Sequence, residues 1–156
     1  MIRKADLNSP REKVNLHMPN TIVHFEIPAD DAERLSRFYK DAFGWKFEKV
    51  KMPSPEYWLI STGPRGKSVG GGMYKKADMP AARPVNYVGV DNIDSAIERF
   101  KQAGGTVVVG KQEVPGTGWS LIGTDPEGNP IALWQAMKPA RRAPRSQRSR
   151  KAKRRR

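Results

Sequence analysis

The sequence predicts an α+β fold of two tandem βαβββ modules, module one over 20–75 and module two over 84–136, and three observations predict it. Leu59-Ile60-Ser61-Thr62-Gly63-Pro64-Arg65-Gly66 and Leu121-Ile122-Gly123-Thr124-Asp125-Pro126-Glu127-Gly128 share the pattern L-I-x-T-x-P-x-G at a separation of 62 positions. The same offset aligns Val23-His24-Phe25 with Val85-Asn86-Tyr87, and Arg37-Phe38 with Arg99-Phe100. Ordered agreement at several landmarks marks an internal duplication rather than a chance match. Between the landmarks, each half carries one run of apolar residues at helical spacing.

Taken in order, each module opens on a strand carrying its Val-x-aromatic triplet. In the first helix Ala32, Leu35, Phe38 or Tyr39, and Ala42 recur at the period of one helical face. Asp30 with Glu33 three residues on reads as a capping box, and Gly44 supplies the left-handed stop. The second helix opens near Asp91 or Asn92, continues through Ile93, Ala96 or Ile97, Phe100 and Ala103, and closes at Gly104-Gly105. Strand-like runs follow at Trp45 to Val50 and Thr106 to Val109. Each repeat of L-I-x-T-x-P-x-G then gives a third strand running into a turn. In Asp125-Pro126-Glu127-Gly128 the proline presets φ, the aspartate leads and the glycine closes, as a type I turn requires. The last strands are Ser68 to Tyr74 and Pro130 to Gln135.

A chain of 156 residues suffices for one domain with a sizeable core. It has no cysteine, which excludes disulfides and thiolate metal sites and suits a reducing, cytoplasmic setting. No apolar run approaches the roughly 20 residues needed to cross a bilayer. Residues 1–18 carry Arg3, Lys4, Arg11 and Lys13 without the apolar stretch of a secretory signal, and read as a flexible extension before a domain over 19–137. His17 lies in that extension and receives no role. The formal charge of +13 is unevenly divided: residues 138–156 hold eleven basic side chains and no acid, leaving 18 basic and 16 acidic elsewhere. Such a tail cannot bury enough apolar surface to offset its ordering entropy, so it is expected to be disordered. Phosphate neutralisation makes it a candidate for non-specific, salt-dependent DNA or RNA contact, while having no aromatic residue gives it no means of reading sequence. A solubilising tail is the plainer alternative, and in a eukaryote the run would pass for a nuclear localisation signal.

The strings Val23-His24-Phe25-Glu26-Ile27-Pro28-Ala29-Asp30-Asp31, Phe38-Tyr39 and Phe43-Gly44-Trp45 resemble the opening module of the vicinal oxygen chelate superfamily. That superfamily includes glyoxalase I, extradiol dioxygenases and bleomycin-resistance proteins. Tyr87-Val88-Gly89-Val90-Asp91-Asn92-Ile93, Ala103-Gly104-Gly105 and Asp125-Pro126-Glu127-Gly128-Asn129-Pro130-Ile131 resemble its second module. The resemblance covers about residues 20–136. It implies eight strands curled into an open cup that holds a ligand, often in a homodimer, and it leaves the reaction unspecified.

Metalloenzymes of this superfamily place one ligand on the first strand and one on the last strand of each module. Carried over, the four positions fall on His24, Gly70, Val85 or Asn86, and Ala132. Only His24 is a usual ligand for a divalent ion. The resemblance therefore implies a metal site reduced to a remnant at His24, with no cofactor expected and a divalent metal disfavoured.

Alternate residues of a strand share a face, so His24 and Glu26 both point into the cup. Glu26 can orient the imidazole for acid–base chemistry, which makes the pair the candidate catalytic residues; a hydrogen-bonded histidine and a paired carboxylate are the plainer alternative. Gly70-Gly71-Gly72 thins one wall, and Tyr57, Trp58, Met73 or Tyr74, Asn86, Ala132 and Trp134 are candidate ligand contacts around it. Bulk removed from one wall and aromatic surface supplied by another suit a flat or apolar small molecule. Close packing of a crossing strand or partner subunit would use the same glycines, and Trp45 and Trp119 are assigned to packing. Phosphate-binding and nucleophile-elbow motifs do not occur, and Gly116-Thr117-Gly118 reads as a plain loop. Three functions follow. One is a glyoxalase-like small-molecule binding protein without the usual metal. Another is a lyase, isomerase or dioxygenase relative using His24 and Glu26. The third is a nucleic-acid-associated protein acting through residues 138–156.

Overall fold

A computed structural model describes residues 19–51, 56–78 and 83–137; the expected N-terminal extension and basic tail lie outside the described residues. The elements run β1 (Ile22–Ala29), α1 (Ala32–Phe43), β2 (Lys46–Lys49), β3 (Tyr57–Ser61), β4 (Gly70–Lys75), β5 (Val85–Gly89), α2 (Ile93–Gln102), β6 (Thr106–Val114), β7 (Gly118–Thr124) and β8 (Pro130–Ala136). Each half is βαβββ, as the duplication predicts. The eight strands form one open mixed sheet in the order β2-β3-β4-β1-β5-β8-β7-β6. Within a half, the first strand pairs parallel with the last, β1 with β4 and β5 with β8; the two halves join where β1 and β5 run antiparallel.

Local chemistry explains the helix ends. The Asp31 side chain accepts from the Arg34 amide at 2.9 Å, so α1 is capped one residue later than Asp30. Gly44 closes α1 with φ 70, a value that carries a steric cost for any residue with a Cβ. The Asn92 side chain caps α2 through the Ser95 amide. The Asp125-to-Gly128 turn has the expected bond from the Gly128 amide to the Asp125 carbonyl at 3.0 Å. The Asp125 carboxylate also accepts from the Asn129 side chain and from the Asn129 and Glu127 backbone amides, which holds its pKa below the ordinary value.

The hairpin β6–β7 is longer than the sequence indicates. β6 continues through Gly110 to Val114, and Gly118 already belongs to β7, so only Pro115, Gly116 and Thr117 turn the chain. The polar run Lys111-Gln112-Glu113 hides this extension because β6 is an edge strand with solvent beside it.

Both helices cover the same face of the sheet. On α1's half, Ala29, Ile60 and Met73 form the core with Phe25, Ile27, Ala32, Leu35 and Trp45 around them. On α2's half, Ile93, Ala96, Leu121 and Leu133 do so with Phe100 and Trp119. The opposite, inner face is set by alternation from β1: His24 pairs with Tyr87 and Glu26 with Val85, and cross-strand partners share a face. That alternation leaves the inner face to carry the candidate site.

Candidate functional site

Glu26 is the centre of the inner face. It is a carboxylate only 8% exposed, and burying such a group is costly unless its oxygens are hydrogen-bonded. Two tyrosines satisfy it from opposite sides. The Tyr57 hydroxyl donates to Oε1 at 2.9 Å, and the Tyr87 hydroxyl donates to Oε2 at 2.7 Å. His24 Nε2 lies 3.0 Å from the Tyr57 oxygen, and its ring meets Tyr87 edge-on at 5.4 Å between centroids. Each module contributes one tyrosine, so the cluster sits on the seam between the two halves.

The glycine run explains how Tyr57 arrives there. Tyr57 belongs to β3 and Glu26 to β1, with β4 between them. A Cβ on Gly72 would lie 1.8 Å from the Tyr57 oxygen, so a bare backbone at this position is what lets the tyrosine lie across β4. Gly71 makes the equivalent allowance on the helix face, where a Cβ would lie 2.5 Å from the Phe25 ring. The space beside these two glycines is thus occupied by side chains of the same chain. Gly70 is register partner to His24, and a Cβ there would meet the Ile60 carbonyl at 3.3 Å.

The structure brings together His24, Glu26, Tyr57, Gly70, Gly72, Ala132 and Trp134 on the inner face. Trp58 and Asn86 are not among them. Trp58 is paired with Met73 and packs in the α1 core beneath Lys49, while Asn86 pairs with Phe25 and is exposed on the helix side. The physical reason is the two-residue period of a strand, which sends neighbours of Tyr57 and Tyr87 to the other face. Tyr74 lies on the inner face and Met73 on the outer. Tyr87 is the residue that sequence reasoning passes over. The repeat aligns it with Phe25, whereas the antiparallel seam pairs it with His24. The available signal is the alternation Val85-x-Tyr87 on a strand beside β1.

Electrostatics follow from burial around one carboxylate. Desolvation first, and then the Glu26 charge, push the pKa of both Tyr57 and Tyr87 well above that of an ordinary phenol, so both remain donors. Burial lowers the His24 pKa below 6.5, partly opposed by the Glu26 charge. The folded state therefore favours neutral imidazole, and the unfolded chain takes up its proton first as pH falls. This stabilising contribution is complete above 6.5 and is lost as pH falls through that value toward the lower folded one. Thermal unfolding should show a fall in Tm beginning near that pH, and His24→Gln should remove this part of the dependence; an unchanged profile would contradict the assignment.

These residues do not fit a divalent metal. Of the four positions implied by resemblance, Gly70, Val85 and Ala132 carry no donor and Asn86 faces the other way. Both Glu26 oxygens already accept tyrosine hydroxyls. Among the described residues no three His, Cys, Asp or Glu side chains converge. A separate groove of about 480 Å³ lies on the helix side between α1 and β2, lined by Arg37, Lys40, Lys46, Trp45 and Phe47 among others; His24 is not among its lining residues. Among the described residues no helix is long and apolar enough to cross a membrane.

The inner face exposes apolar side chains beside polar ones such as Glu48, the cross-strand partner of Leu59, and Gln112, the partner of Ser120. Val23 sits where the β1–β5 register shifts between Ile22 and His24, which frees it from the strand's alternation; its Cγ1 would meet a Cβ on Gly89 at 2.7 Å and it is 41% exposed there, while Leu59 on β3 is 47% exposed. Half-buried Trp134 lies beyond Ala132. These side chains border the polar group of His24 and Tyr57.

Residues 21–133 match the family model of the Glyoxalase/Bleomycin resistance protein/Dioxygenase superfamily. A putative glyoxylase CFP32 of Mycobacterium tuberculosis is 24% identical over 129 residues, 71% of this chain and 44% of that protein. The chain thus spans less than half the length of that relative. A glyoxylase-like domain-containing protein of Didymella fabae is 33% identical over 88 residues, 54% of this chain and 68% of that protein. Among solved structures, methylmalonyl-CoA epimerase of Mycobacterium tuberculosis is similar with a TM-score of 0.57 at 14% identity, covering 78% of this chain and 95% of that one. A superfamily member from Vibrio splendidus gives 0.56 at 13%, covering 76% and 99%. At such identities the structures bear on fold alone. With the family model covering most of the chain and the paired βαβββ sheet agreeing, the chain belongs to the Glyoxalase/Bleomycin resistance protein/Dioxygenase superfamily.

Proposed function

We propose that this chain binds a small, flat or apolar molecule on the inner face of its sheet and does so without the usual divalent metal. The observation that carries the reading is the arrangement of exposed Val23 and Leu59 with half-buried Trp134 around one polar centre, His24 and Tyr57. Apolar surface supplies affinity by leaving water, and a single polar group fixes orientation. Leu59→Asp tests it directly. This change places a charge on an exposed position, leaving the buried core intact, and should weaken capture of a fluorescent aromatic probe by about tenfold or more. Unchanged capture would remove the proposal. Elemental analysis is the complementary measurement: a stoichiometric divalent ion lost on His24→Ala would overturn the metal-free part.

A second reading concerns the C-terminal residues. Eleven basic and no acidic side chains in 138–156 support loose contact with DNA or RNA, driven by counterion release. Deleting 138–156 should abolish salt-sensitive retention of nucleic acid, and retention by the shortened chain would dismiss this reading.

A further inference from the structure

The hydrogen-bond chain at Glu26 has only one consistent placement of its protons. A carboxylate has no proton to give, so both tyrosine hydroxyls donate to it. A phenol carries a single proton, and Tyr57 has given its own to Oε1. Toward His24 the Tyr57 oxygen can therefore only accept, which makes Nε2, 3.0 Å away, the nitrogen that carries hydrogen. Neutral imidazole has one N–H, so Nδ1 is left with an unprotonated lone pair.

Nδ1 is also open. Among the described residues the bond to Tyr57 is the hydrogen bond His24 makes, and it uses Nε2. Among the described residues no fully buried side-chain nitrogen or oxygen lacks a partner. An unpartnered Nδ1 on the half-buried His24 is consequently in reach of solvent. The buried carboxylate, acting through Tyr57, turns an otherwise ambiguous ring into a fixed acceptor at the edge of an apolar surface.

We infer that the ligand of the inner face is a hydrogen-bond donor, a phenol, enol or N–H heterocycle whose acidic hydrogen meets His24 Nδ1, and that Tyr57 is the positioning residue that reserves this nitrogen. The inference rests on the inner face being the binding surface and adds the chemical class of the ligand. It also assigns Tyr57 a role that a purely packing side chain would not have, because Tyr57 dictates which imidazole nitrogen is protonated.

Two measurements test it separately from the binding reading. The chain has two histidines, so a His17→Gln variant labelled with ¹⁵N histidine gives one imidazole signal. At mildly alkaline pH its long-range ¹H–¹⁵N correlation should show the Nε2–H form. Predominance of the Nδ1–H form overturns the inference whatever binds. Tyr57→Phe, in the same background, should shift the ring toward a mixture of both forms, and an unaltered ratio removes the role given to Tyr57. Phenol and anisole then probe the ligand class. They share a ring, but anisole has a methyl group where phenol has the hydrogen. Phenol should bind about tenfold more tightly and move the Nδ1 resonance. Equal binding of the two overturns the donor requirement while leaving a ligand site in place, whereas binding of neither counts against the inner-face site itself.

Discussion

Glu26→Ala is expected to lower stability by about 2–4 kcal/mol, read as a lower urea midpoint at unchanged slope. The carboxylate is acceptor to two tyrosine hydroxyls, and the bond from Tyr87 is buried. Removing the acceptor leaves each hydroxyl to be satisfied elsewhere, at about 1–3 kcal/mol for a group that finds nothing. Tyr57 retains an outlet, since it can donate to His24 Nε2 if the imidazole changes tautomer. Among the described residues Tyr87 has its ring against His24 rather than a second acceptor, so most of the cost falls there. Glu26→Gln separates this account from a general packing effect. The amide keeps one acceptor oxygen and nearly the same volume, so its cost should be less than half that of alanine. Equal losses for the two variants would show that the tyrosine bonds are not what holds Glu26 in place.

Gly72→Ala is the second change with a large expected effect. Its Cβ would stand 1.8 Å from the Tyr57 oxygen and 2.2 Å from Cζ, separations that no real contact tolerates. Tyr57 is the side that has to move, and moving it breaks its bonds to Glu26 and His24 together. Overpacking of this kind costs about 1–3 kcal/mol, and the lost hydrogen bond to a charged group adds about 1.5–3 kcal/mol. A double-mutant cycle isolates the cause: in a Tyr57→Ala background the same Gly72→Ala change should cost under about 1 kcal/mol, because the clash has been removed. Gly110, with nothing within 4 Å of its virtual Cβ, provides the control, and Gly110→Ala should be close to neutral. A cycle without coupling would contradict the view that Gly72 exists to admit Tyr57.

Both predictions place the chemistry of this protein in contacts that cross strands. The glycine run reads from sequence as thinning of a wall, yet beside Gly71 and Gly72 the room is taken by Phe25 and Tyr57. His24 and Glu26 are legible as a pair because one strand's alternation suffices to put them on one face. The tyrosines that complete them are harder to find, since each comes from a different strand and one from the other module.

By itself the sequence determined the duplication, the order of helices and strands within each module, and most helix ends and turns. These depend on neighbours within a few residues, through capping side chains, turn-forming Asp-Pro-Glu-Gly and the period of apolar residues. It determined that His24 and Glu26 share a face for the same reason. Only the tertiary structure decided which residues surround that pair. Register across the β1–β5 seam opposes Tyr87 to His24, although the repeat aligns it with Phe25. A bare Gly72 lets Tyr57 reach over an intervening strand. Strand register is set by long-range pairing and by the burial of one face, and a shift of one residue would have sent Asn86 and Trp58 inward in their place.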